Sequence, residues 1–127
     1  MKRLDELLAF QRRVSLSREL NSGLLLEVLE LCAEAEVEHI PEKYALLQLC
    51  EDGSWEQALL WLMPWTIPHW NVSLTTTINS RGWTVKLMTP VFLITRSHLS
   101  CARALLDAIV VATVVDERVR TTKRAAG

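Results

Sequence analysis

With 127 residues, half of them hydrophobic and 23% charged, the chain is long enough for one domain with a real core and too apolar to stay disordered. Its net charge of −1 exerts no overall pull on nucleic acid, so a nucleic-acid partner is not expected. Cys32, Cys50 and Cys101 are odd in number and far apart, which fits neither a disulfide framework nor a CxxC zinc site; they read as reduced, mostly buried thiols of a cytoplasmic protein.

The opening MKRLDELLAF carries acids within its apolar part, unlike a secretory leader. Residues 3–14 read as a short amphipathic helix with Leu4, Leu7 and Leu8 on one face. Ser15 or Ser17 can cap the next helix, because a serine oxygen accepts from the free backbone donors at a helix start. That helix is expected from about Arg18 to Ala35, with an apolar stripe of Leu20, Leu24, Val28, Leu31 and Ala35. Gly23 weakens it locally by about 1 kcal/mol relative to alanine.

Residues 36–53 have two readings. Pro41 suits a first helical position, which makes Tyr44–Cys50 a turn or two of helix; the alternative is a short strand. Ser54 then opens a helix through Leu62. Ser54 and Gln57 have the spacing of a capping box, and Pro64 and Pro68 are expected to stop the helix.

His69–Ile78 alternates. Trp70, Val72, Leu74, Thr76 and Ile78 point one way, while Asn71, Ser73, Thr75 and Thr77 point the other. After the turn NSRG, in which Gly82 is expected to take a positive φ, Trp83, Val85 and Leu87 continue the apolar set. This predicts an antiparallel hairpin over 69–90 with one buried face, and a third strand can form around Val91–Ile94. A helix should follow from Ser97 to about Glu117. Its middle, Ala104–Val115, is apolar on nearly every side but falls well short of the ~20 residues of a membrane span, so it reads as a buried central helix. The basic tail, residues 118–127, is expected to fray as a flexible extension.

The five tryptophans, Trp55, Trp61, Trp65, Trp70 and Trp83, read as core or core edge, with Trp65, set between Pro64 and Pro68, the one expected in solvent. His98 and Cys101 are three apart on a predicted helix, but no second ligand pair accompanies them, so no metal and no other cofactor is expected. Cys101 lies near His98 and Arg103, yet a cysteine on an alanine-rich face reads as a small buried hydrophobe, and no catalytic residue is assigned. The glycines form no phosphate loop.

Charge is divided unevenly along the chain. Residues 27–56 hold nine acids against one base, and residues 57–106 hold no acid. Glu27, Glu30, Glu34 and Glu38 fall within about 80° of helical arc, at roughly 100° per residue, if the helix extends that far. They read either as a solvated flank or as an acidic face for a basic protein partner. The polar strand face (Asn71, Ser73, Thr75, Thr77, Thr84, Lys86) must meet water, a helix or a second subunit, and a homodimer pairing there is compatible with it.

Three stretches carry a family resemblance: SREL at Ser17–Leu20; DGSWEQALLWLMP at Asp52–Pro64 followed by the W-x-V strand at Trp70–Val72; and Gly82–Trp83, Thr89–Pro90 and the helix CARALL at Cys101–Leu106. In their order they resemble the phage ABA sandwich domain family, small proteins encoded by phages and prophages, over about residues 15–110. The resemblance implies a sheet flanked by helices on both faces. It implies no established activity and supplies no catalytic residues. The chain departs from the pattern in its short NSRG turn and in residues 36–51.

The expectation is therefore a single α+β domain: a small antiparallel sheet built on the 69–90 hairpin, packed with helices over 17–35, 54–62 and 97–117. Its expected function is that of a non-enzymatic phage or prophage accessory protein that binds another protein, a host defence factor being one version, through Glu27, Glu30, Glu34, Glu38 and Trp65. The alternative is a small-ligand or nucleotide binder with a Trp-lined pocket. A third is a minor catalytic role around His98 and Cys101.

Overall fold

A computed structural model describes residues 2–17, 19–32, 43–76 and 82–126. Along the chain these form α1 (Lys2–Leu16), α2 (Ser22–Cys32), α3 (Lys43–Glu51), α4 (Trp55–Thr66), β1 (Asn71–Thr76), β2 (Trp83–Met88), β3 (Leu93–His98) and α5 (Cys101–Ala126), an α+β fold. The three strands make one antiparallel sheet in the order β1-β2-β3.

α5 is the centre of the molecule, as its apolar composition predicts. Ala104, Leu105, Leu106, Ala108, Ile109 and Ala112 are fully buried, and the helix packs against α1, α2, α4, β2 and β3. The expected start at Ser97 moves to Cys101, because Ser100 caps the helix: its Oγ accepts from the Arg103 amide at 3.3 Å. The end moves further. The basic tail is helical through Ala126 instead of frayed from residue 118. Glu117, almost fully buried, takes Arg3 of α1 at 3.4 Å and Arg120 of its own helix at 3.7 Å, so α5 is tied to α1 at the point where fraying was expected to begin.

The cap expected for the second helix is also reassigned. Asn21, not Ser15 or Ser17, accepts from the Leu24 amide at 2.9 Å and sets the start at Ser22. Ser15 and Ser17 instead donate to the carbonyls of Gln11 and Glu19. The buried face of α2 is Leu25, Val28 and Leu29, with Leu20, Leu24 and Leu31 at its margins, a rotation away from the predicted stripe. Arg13 of α1 stacks over Phe10 and pairs with Glu27 of α2 at 2.8 Å. Of the two readings of residues 36–53, the helix is found, over Lys43–Glu51; Pro41 lies outside the described residues. Gly53, at φ 72°, turns the chain into α4.

α4 keeps Ser54 as its N-cap, but the side-chain bonds of a capping box do not form. The Ser54 carbonyl accepts from the Ala58 amide at 2.9 Å. Pro64 does not stop this helix, which continues to Thr66. The proline ring is exposed and removes one backbone donor. Burial of Met63, Thr66 and Ile67, with Thr66 Oγ1 donating to the Leu62 carbonyl at 2.9 Å, holds the last turn.

The predicted strand alternation gives the observed register. Val72 faces Leu87, Leu74 faces Val85 and Thr76 faces Trp83, and β3 extends these rows with Ile94, Arg96 and His98. Val85, Leu87 and Ile94 are buried beneath α5. The face is less completely covered than expected: Val72 at its β1 edge and Trp83 at its end are 37% and 36% exposed. The third strand is Leu93–His98, later and longer than expected, and the NSRG turn lies almost wholly outside the described residues. On the opposite face, Asn71, Thr75, Lys86, Met88, Leu93, Thr95 and Ser97 are exposed, so the described helices cover one face of the sheet and not the two that a sandwich implies.

Candidate functional site

Two ends of the sheet carry the surface features that the fold does not consume. At the end where Thr76, Trp83 and His98 align, α1, β3 and α5 meet around a cleft of about 580 Å³ lined by Ser15, Ser17, Glu19, Leu20, Trp55, His98, Ser100 and Arg103. His98 closes β3, and its Nδ1 accepts from the Ser100 amide at 3.0 Å, which leaves Nε2 as the outward donor of the neutral ring. Arg103, in the first turn of α5, is buried. It donates to the Val14 carbonyl and lies 3.4 Å from Asp107. Burial pushes the Asp107 carboxyl above its ordinary range, against the pull of Arg103, His98 and Arg96. A smaller hollow of about 130 Å³ continues past Asp107 between Gln11, Arg96 and Val111.

Two corrections follow for the predicted chemistry. His98 is on a strand and Cys101 on the following helix, so the pair does not share a helical face. Cys101 and Cys50 are free and buried; burial raises both thiols, and Glu56 raises Cys101 further. The side chain of Cys32 lies outside the described part. Among the described residues no group of three His, Cys, Asp or Glu could hold a metal ion, and no helix is long and apolar enough to cross a membrane.

The opposite end of the sheet is apolar. Val91 and Leu93 are 80% and 63% exposed, and Phe92 and Met88 are also solvent-facing. Thr89 builds the tight connection: its amide donates to the Phe92 carbonyl, and its hydroxyl accepts from the Val91 and Phe92 amides. Phe92 stacks on Trp70 at 6.3 Å, and Trp70 donates through Nε1 to Asp116 at 3.1–3.2 Å. Trp70 and Val72 border a groove of about 300 Å³ shared with Leu60, Met63, Pro64, Ile67 and Pro68 of the α4 region. The groove and the exposed β2–β3 connection thus lie at the same end of the sheet, linked through the Trp70–Phe92 stack.

The residues predicted to bind a partner lie only in part within the described structure. Glu27 is tied to Arg13, Glu30 is exposed, and Glu34 and Glu38 lie outside the described residues. Trp65, expected in solvent, is half-buried and tilted against Trp61 at 6.1 Å; the helix running through Pro64 puts the two rings one turn apart. The expected Trp-lined pocket is represented by Trp55 alone in the polar cleft and by Trp70 in the apolar groove.

Comparison with known proteins finds no matching family model, no matching curated protein and no matching solved structure.

Proposed function

We propose that this chain is a non-enzymatic binding protein, in keeping with a phage or prophage accessory role, and that it contacts a protein partner through the apolar end of its sheet. The observation that carries the reading is the exposure of Val91, Phe92 and Leu93 together with Met88, at the end of the sheet that also holds the groove of Leu60 and Val72. A contiguous apolar surface held open to water is the mark of a contact site, because full burial of a valine or leucine is worth roughly 1.5–3 kcal/mol. Interference with a host defence factor is one form such binding takes.

Affinity capture from the lysate of the source cells tests this with two baits, the natural chain and a Val91→Ser/Leu93→Ser variant, compared by mass spectrometry. The expected result is a species retained by the first and lost with the second. Equal retention by both would place the contact elsewhere.

The convergence of His98, Ser100, Arg103 and Trp55 favours a second reading, a small polar ligand in the 580 Å³ cleft. Tryptophan fluorescence of the natural chain, compared with that of a Trp55→Phe variant, would report it. A saturable change on titration with nucleotides or inorganic phosphate is the expected sign, and a flat response across such panels removes it.

A further inference from the structure

We infer that β1 is the contact edge of a homodimer, in which the Asn71–Thr76 strands of two copies pair antiparallel about a two-fold axis and join their sheets. β1 is an outer strand bonded to β2 alone, and no strand lies along its other edge among the described residues. A row of unpaired backbone donors and acceptors accepts an extended strand as its occupant. Folded proteins protect such edges with charge, proline or a bulge. The other outer strand, β3, has Arg96 and His98 and lies against α5. β1, with the sequence NVSLTT, has no charge and no proline, and its pairing with β2 runs without interruption.

The strand's composition selects a second copy. Residues directly opposite in an antiparallel pair share a face, so Ser73 can meet only Asn71, Ser73 or Thr75 of its copy. Each of these pairs is uncharged. On the other face Val72, Leu74 and Thr76 meet one another, which covers the exposed Val72 beside the groove of Leu60, Pro64 and Pro68. A copy pairing through β3 with its axis at Arg96 would instead set two Arg96 side chains opposite one another. Two six-residue strands alone bury less than the ~800 Å² per partner of a standard interface, so association is expected to be reversible and concentration-dependent. The two readings share Val72, but the substitutions at Ser73 and Thr75 leave Val91 and Leu93 untouched and those at Val91 and Leu93 leave β1 untouched, so their failures are distinguishable.

Sedimentation over a concentration series tests it with the natural chain, a Ser73→Lys/Thr75→Lys variant, a Ser73→Glu/Thr75→Glu variant and an equimolar mixture of the two variants. Either alignment of the axis, through Ser73 or through Leu74, sets like charges opposite one another in each variant and opposite charges together in the mixture. The natural chain should dimerise as concentration rises. Each variant should dimerise more weakly by on the order of tenfold, and the mixture should restore a mixed dimer. The restored dimer also shows that the variants fold. A natural chain that stays monomeric throughout overturns the inference, as do variants that dimerise as it does or a mixture that stays monomeric.

Discussion

The two ends of the three-stranded sheet dispose of their side chains in opposite ways. At the His98 end, polar groups satisfy one another: buried Arg103 takes half-buried Asp107 and the Val14 carbonyl, and exposed His98 takes the Ser100 amide. At the Leu93 end, Trp70 is anchored through Asp116 and Phe92, while Val91, Leu93 and Met88 stand in water with nothing over them among the described residues. The first end has a structural reason for its residues, since Arg103 ties α5 to the Val14 carbonyl of α1 and the Ser100 amide ties the start of α5 to His98 of β3. The second has none among the described residues. An internally satisfied cluster argues for stability, and an apolar surface left open argues for a partner.

The largest effect that tests this contrast comes from its two tryptophans. Trp70 is 6% exposed and Trp83 36%. Trp70→Ala should cost about 3–5 kcal/mol, while Trp83→Ala should cost less than half of that. Chemical denaturation of both variants measures the difference, and equal losses would erase the distinction between a core and a margin ring.

Next in size is the ion pair of the polar end. Arg103→Met leaves Asp107 half-buried without its partner and should cost about 2–4 kcal/mol, toward the low side for a buried pair because Asp107 keeps solvent access. Its pH signature has a definite sign. As pH rises above 3.8, the unfolded chain loses the Asp107 proton first, while the folded carboxyl, raised by burial, still holds it. The folded state then binds more protons, and stability falls until pH passes the raised folded value. Asp107→Asn should remove that slope. A natural chain and variant with parallel stability profiles through this window would show that the carboxyl is not desolvated.

Smaller again is the thiol at the start of α5. Cys101→Ser places a hydroxyl where a buried sulfur packs and should cost about 1–2 kcal/mol. In the folded natural chain, labelling of Cys101 by a thiol reagent at neutral pH should be slow compared with the unfolded chain. Equally fast labelling in both states would reopen a nucleophilic role. The smallest effect belongs to the apolar end itself: Val91→Ser/Leu93→Ser should change stability by no more than about 0.5 kcal/mol. A loss of several kcal/mol would mean these side chains serve the fold.

Much of this architecture was legible in the sequence where a local period governs it. The two-residue alternation from Trp70 to Leu87 specified the hairpin register, and the apolar run of Ala104–Val115 specified the central helix. Boundaries were less legible, because several chemically equivalent groups compete for each cap. Asn21 displaced Ser15 and Ser17, and Ser100 moved His98 from the helix onto the strand. Pro64 was passed over because buried neighbours outweighed one missing donor. The polar cleft could not be read locally, since Ser15, Trp55, His98 and Arg103 reach it from separate elements. The exposure of Val91–Leu93 was hidden for a different reason. A short apolar run reads as buried, and only the finished sheet shows that no described element covers it.

The most direct test of the central claim places a photo-crosslinking amino acid at position 93 in one protein and at position 98 in another, each irradiated in the same source-cell lysate. The account predicts a discrete protein adduct from position 93 and none from position 98. An adduct from position 98 alone, or none from either, would contradict the assignment of the partner contact to the apolar end of the sheet.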